Sequence, residues 1–217
     1  MLAFYAAEKT GQQGSVIGID ISEGMIEKAR SKLKTSQRTN LYFESGDGEN
    51  LDFEPDSFDY IFCSSAFIWM PDLNAALTHW KSFLKPGGKV GFHAFTENSF
   101  VTGVVAQSVL LKYGVNYQMS KPTGTTEKCR KLLEQSGYQN ISIEIDENGD
   151  YISLEEARNS WISTSHPAPG QYPHPLTTLS PEQLANARLD YVQEIEKLNT
   201  RDGIWNDMTT LYVFAEK

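Results

Sequence analysis

Apolar and polar positions alternate along the first third of the chain in short blocks of two kinds. Residues 2–9 (LAFYAAEK) carry an apolar-rich helical pattern that Gly11 and Gly14 bring to an end. Residues 15–20 (SVIGID) form a compact β-branched run, the pattern of a strand buried on both faces. Ser22 is placed to cap a helix that carries Met25, Ile26, Ala29 and Leu33 on one face. Short strands follow at 41–44 and 58–64, the second opening after a Pro55-Asp56 turn. Leu73, Ala76, Leu77, Trp80 and Leu84 stand at helical spacing and predict a helix over 73–84. Pro86-Gly87-Gly88 is expected to stop it, and 89–95 to resume as a strand.

The second half continues the alternation. A helix is predicted over 126–135, ended by Gly137, then a strand over 141–145 and a last strand over 208–215. About 60 residues separate those two strands, far more than a hairpin needs. Ser153 and Glu156 form a capping-box pattern that opens a helix through Trp161. Ser180, Pro181 and Gln183 open a longer helix with Leu184, Tyr191, Ile195 and Leu198 along one stripe. A proline-rich loop with Pro167, Pro169, Pro173 and Pro175 joins the two. The β-α-β-α order implies an α/β fold: a doubly wound, mostly parallel sheet with helices on both faces and an antiparallel final strand. The chain is expected to form a single domain over 1–217, with helical cap insertions at about 97–121 and 150–206 over a pocket.

Composition narrows the partners. The formal charge is -9, and no basic stripe of the kind nucleic acids require is visible. Nucleic acid and anionic membranes are therefore poor partners for this chain. The longest apolar stretch, 60–70, is too short for a bilayer span of about 20 residues. Two separated cysteines, Cys63 and Cys129, do not make a stapled secreted fold, and no signal peptide opens the chain. A reducing, cytoplasmic setting is expected.

In an open parallel sheet, ligands bind beyond the carboxyl ends of the strands. Asp20 follows the first strand and can accept both hydroxyls of a ribose. Its alternative is an acid favoured by a helix N-terminus. Gly46-Asp47-Gly48-Glu49 follows the second strand, where glycines allow close approach of a flat ring and Asp47 can accept from an amine. The alternative there is ordinary Asp-Gly turn chemistry. Ser64 and Ser65 follow the third strand and leave room for a ligand, or cap the next turn. No catalytic base is identified; the candidate is His93, against a core histidine bonded to backbone. His166 and His174 lie in the proline-rich loop, and Trp161, Tyr172 and Trp205 could line an apolar pocket or pack in the core. No metal ligand set is read.

It is the ordered set of motifs that is specific. GID-I-S-x-x-M, GDGE-x-L-x-F, FDYIF and LKPGGKV closely resemble the class I S-adenosylmethionine-dependent methyltransferases, in particular those that methylate small molecules such as quinone and sterol-type substrates. The resemblance is strong over residues 1–95 and looser beyond. It implies methyl transfer from S-adenosylmethionine to a small, partly apolar molecule. It implies that Asp20 binds the cofactor's ribose, that Ile21 flanks the adenine, that Gly46, Asp47 and Gly48 line the adenine edge, and that Ser64 stands near the methionine end. The family opens this region with a hydrophobic strand and a D-x-G-x-G-x-G loop. Met1-Leu2-Ala3-Phe4 resembles the helix that follows that loop, so the usual first, central strand is expected to be lacking here. A non-catalytic interaction domain is the second reading. A nicotinamide dehydrogenase would need G-x-G-x-x-G and leaves GDGE and LKPGG unexplained.

Overall fold

The computed structural model describes residues 2–116, 122–161 and 175–217. They fall into two compact units, one running to Glu54 and the other beginning at Pro55.

The first unit holds α1 (Leu2–Thr10), β1 (Val16–Asp20), α2 (Glu23–Ser36) and β2 (Leu41–Ser45). The strands pair in parallel, from Val16 opposite Leu41 to Asp20 opposite Ser45. Gly18 makes room for an aromatic ring, since a Cβ there would lie 2.7 Å from Phe43. Phe43 in turn packs on Phe4, with ring centroids 5.5 Å apart. The Asn40 amide donates to the carbonyls of Ala7 and Gly11 at 2.8 and 2.7 Å, tying the end of α1 to the start of β2. Two expectations change here. β1 is half-buried rather than buried on both faces, because β2 is the one strand paired with it among the described residues. In α2 only Ile26 is buried and Met25 is 53% exposed, so the apolar stripe is narrower than its spacing suggested.

The second unit runs β3 (Phe58–Cys63), α3 (Leu73–Phe83), β4 (Leu84–Phe95), α4 (Val101–Lys112), α5 (Thr126–Gln135), β5 (Gln139–Asp146), β6 (Gly149–Ile152), α6 (Leu154–Asn159), α7 (Pro181–Lys197), β7 (Ile204–Asp207) and β8 (Thr210–Glu216). Its main sheet has the order β3-β4-β8-β5. β3 and β4 are parallel, and the final strand β8 runs antiparallel to both neighbours, as expected. Val90, Phe92 and Ala94 of β4 and Leu211, Val213 and Ala215 of β8 alternate onto one buried face. Helices α3 and α5 pack there: Phe67 bridges Phe92 and Trp80 at ring distances of 4.5 and 5.6 Å, and the Tyr138 hydroxyl donates to the Leu77 carbonyl at 2.9 Å.

Pro86-Gly87-Gly88 does not stop a helix. Helix α3 ends at Phe83, and the three residues lie inside the span of β4, where the β3–β4 register shifts between Phe58 and Tyr60. Gly88 is needed at that irregularity, since a Cβ would meet the Lys85 carbonyl at 2.9 Å.

The two expected insertions share one apolar cluster. Ala106 and Val109 of α4, Ala157 of α6, Tyr191 and Ile195 of α7 and Ile204 of β7 are buried together. The Tyr191 hydroxyl donates to the Ala157 carbonyl at 2.6 Å. Ser180 and Gln183 form the full reciprocal capping box at the start of α7. Helix α6 ends at Asn159, short of Trp161. The antiparallel ribbon β6–β7 was not anticipated, so the region is not purely helical. Most of the proline-rich loop, residues 162–174, lies outside the described residues, as do 117–121. Among the described residues no helix is long and apolar enough to cross a membrane.

Candidate cofactor and acceptor sites

In the first unit the motif residues gather at one end of a parallel pair. β1 ends on Asp20 and β2 on Ser45, and the next residue, Gly46, donates its N–H to the Asp20 carbonyl at 3.1 Å. The GID and GDG motifs are thereby joined at the carboxyl ends of both strands. The Asp20 side chain accepts the Ser22 N–H on Oδ1 at 2.8 Å, and Oδ2 has no partner among the described residues. Ser22 itself makes no side-chain cap bond, so Asp20 takes part of that work at the start of α2. Ile21, beside it, is 40% exposed.

Asp47 is used differently. Oδ1 accepts the Glu49 N–H at 3.0 Å and Oδ2 accepts the Asn50 amide at 2.8 Å, while the Asn50 N–H bonds the Asp47 carbonyl at 3.0 Å. Both carboxylate oxygens are committed to the turn that carries Gly46 and Gly48. The turn alternative and the binding role are thus compatible, with Asp47 shaping the loop. An exposed carboxylate with a free oxygen, an exposed aliphatic side chain and a glycine turn fit the ribose and adenine of a nucleoside cofactor.

In the second unit, Cys63 opposite Phe92 is the last β3–β4 pair, so Ser64, Ser65 and His93 all lie at the carboxyl ends of these parallel strands. Ser65, not Ser64, meets His93. Its backbone N–H donates to His93 Nε2 at 3.0 Å, and its Oγ lies 3.1 Å from the same nitrogen. Ser65 has φ 60, a left-handed conformation. His93 stands opposite Tyr212 of β8 and near Phe95, with ring centroids 6.5 and 5.5 Å away. Burial pushes the His93 imidazole below its ordinary value. Neighbouring Cys63 is no nucleophile, because burial raises its thiol to about 11. The sequence did not reveal the Ser65–His93 pair; its signal was that Ser65 follows β3 and His93 stands near the end of β4, two strands that pair in parallel.

The remaining candidates separate. Trp161 packs on Tyr191 with ring centroids 5.0 Å apart, as a wall of the α4–α6–α7 cluster. Trp205 is 50% exposed on β7 and meets Tyr151 edge-on at 5.2 Å. His166, Tyr172 and His174 lie outside the described residues. Among the described residues no group of three or more His, Cys, Asp or Glu is placed to hold a metal.

The methyltransferase domain family matches residues 1–88. The chain is similar to a malonyl-[acyl-carrier protein] O-methyltransferase of Paenibacillus sp. (strain JDR-2), 28% identical over 206 residues, which is 93% of this chain and 73% of that protein. It is also similar to a demethylmenaquinone methyltransferase of Staphylococcus haemolyticus (strain JCSC1435), 31% identical over 156 residues and 63% of each chain, so it aligns with less than two thirds of that relative. A solved structure, of a putative methyltransferase from Bacillus halodurans C-125, covers 94% of this chain and 83% of its own at TM-score 0.56 and 15% identity, a likeness of fold.

Proposed function

We propose that this chain, a member of the class I S-adenosylmethionine-dependent methyltransferases, transfers the methyl group of S-adenosylmethionine to a small, partly apolar acceptor. The observation that carries the reading is the junction of Asp20 and Gly46. One hydrogen bond brings the free carboxylate oxygen and the glycine turn to the same end of β1 and β2. Asp20 would hold the ribose hydroxyls, Ile21 would flank the adenine, and Gly46, Asp47 and Gly48 would form its edge.

The bound cofactor supplies an electrophilic methyl on a sulfonium. The acceptor's lone pair forms the new bond as the carbon–sulfur bond breaks, and the electron pair leaves on sulfur. The protein's part is to bind and orient the two partners and exclude water, which can supply much of the rate. Of the expected insertions, the elements α4, α6 and α7 would form the acceptor side, since they share one apolar core. The similar proteins named above act, by their names, on a malonyl-carrier conjugate and a demethylated quinone. The quinone and the malonyl group, the latter presented on a carrier protein, together with the chain's net charge of -9, favour a small acceptor group over nucleic acid.

The test is calorimetric titration of S-adenosylhomocysteine and NAD, followed by assay of S-adenosylmethionine consumption with demethylmenaquinone and with malonyl-acyl carrier protein. Binding of S-adenosylhomocysteine but not NAD is expected. Failure to bind S-adenosylhomocysteine would sink the proposal.

A further inference from the structure

We propose that Ser65 is a positioning residue whose backbone amide holds His93 as the tautomer protonated on Nδ1, so that His93 offers a hydrogen-bond donor, and no base, to an oxygen-bearing methyl acceptor. The last clause rests on the function proposed above; the tautomer does not.

The argument starts from the backbone. An amide N–H can only donate, so the ring nitrogen 3.0 Å from the Ser65 N–H must carry a lone pair. The Ser65 hydroxyl, 3.1 Å from the same atom, can rotate to donate as well. Nε2 is thus an acceptor already in use. A neutral imidazole with Nε2 unprotonated carries its proton on Nδ1. Nδ1 has no partner among the described residues. Burial lowers the affinity of the ring for a second proton, which keeps it neutral. The geometry is held in place from both sides. His93 lies near the carboxyl end of β4, an interior strand of the sheet, in register with Tyr212. Ser65 is carried at φ 60 between β3 and the turn anchored by buried Phe67.

This arrangement narrows the acceptor. With Nε2 occupied, His93 does not remove a proton without first giving up the Ser65 bond. The acceptor must then bring its own nucleophilic lone pair at neutral pH. A carboxylate, a phenolate or an enolate does so, and each presents an oxygen that an N–H donor can orient. A protonated amine does not.

The experiment is nitrogen–proton correlation NMR on the full chain carrying 15N-labelled histidine, with His93→Asn used to assign the signal. Protonated Nδ1 and bare Nε2 are expected at mildly alkaline pH, and again in Ser65→Gly, which keeps the amide at positive φ but removes the hydroxyl. A proton on Nε2 in the wild type, or a switch of tautomer in Ser65→Gly, overturns the assignment. The spectra read the tautomer whether or not methyl transfer is observed, so the two proposals fail separately. With an acceptor that is turned over, His93→Gln should lose about tenfold more turnover than His93→Asn, whose amide nitrogen falls near the Nδ1 position. Equal losses in the two variants would point to a base and reject the donor role.

Discussion

The N–H of Gly46 donates to the carbonyl of Asp20 across 3.1 Å, and this one bond joins two motifs that lie 26 residues apart in the chain (46 − 20). It places a carboxylate and a glycine turn at the ends of adjacent parallel strands, where nucleotides are commonly bound. Asp20 keeps one oxygen free, whereas Asp47 spends both on its own turn.

That difference predicts the order of effects on cofactor affinity. Asp20→Ala should weaken S-adenosylhomocysteine binding by about tenfold or more, the worth of charge-assisted hydrogen bonds to a diol. Asp47→Ala should weaken it less, and should act mainly by loosening the turn. Titration calorimetry on both variants checks this; unchanged affinity in Asp20→Ala would remove the ribose assignment.

Ile195 is fully buried in the cluster shared by α4, α6 and α7. Ile195→Ala should cost about 2–5 kcal/mol of stability in urea unfolding. If the cluster supports the acceptor side, the same variant should raise the acceptor KM while S-adenosylhomocysteine affinity holds. A loss of cofactor affinity instead would show that the cluster does not serve the acceptor.

Tyr191 should make stability fall in alkali. Its burial pushes the phenol up to about 12, against an unfolded value near 10. The folded state then keeps a proton that the unfolded state releases. This contribution is fully present below pH 10 and is lost as pH rises toward 12, with a slope of at most about 1.4 kcal/mol per unit. Tyr191→Phe removes the bond to the Ala157 carbonyl, costing about 1–2 kcal/mol at neutral pH, and should make the alkaline limb shallower, the rest of the fall being carried by the other buried groups raised in the same way, Cys63 and Cys129 among them. Denaturant midpoints across this range would show both effects, and an unaltered alkaline limb would count against the assignment.

Two glycines should respond with opposite sign. Gly203 has φ +107, and a Cβ there would lie 2.7 Å from the Ile152 carbonyl oxygen. Gly203→Ala should cost at least about 2 kcal/mol. Gly24 sits in the first turn of α2 with nothing within 4 Å of a built Cβ. Gly24→Ala should stabilise the chain by about 0.5 kcal/mol through helix propensity. Thermal unfolding of the two variants, compared with wild type, gives the signs directly.

What the sequence determined by itself was local. The β-branched run ending in Asp20, the Ser180–Gln183 capping box and the helix over 126–135 follow from propensity, capping chemistry and period, all of which act within a few residues. The motif residues Asp20, Ile21, Gly46, Asp47 and Gly48 could be named for the same reason: each stands at or just past the end of a strand that is visible in the chain. Tertiary structure decided what depends on pairing between distant segments. It placed Pro86-Gly87-Gly88 inside the span of β4, at an irregularity where the pairing with β3 skips from Leu84 to Lys89, so the local breaker interrupts the ladder instead of ending a helix. It built the ribbon β6–β7 from the four-residue runs GDYI and IWND, which are too short to show a period and find each other across α6 and α7. It also turned two ordinary residues 28 positions apart into a bonded pair, because only the parallel register of β3 and β4 puts Ser65 beside His93. Propensity acts along the chain and register acts across it, so the first can be read from residues in order and the second cannot.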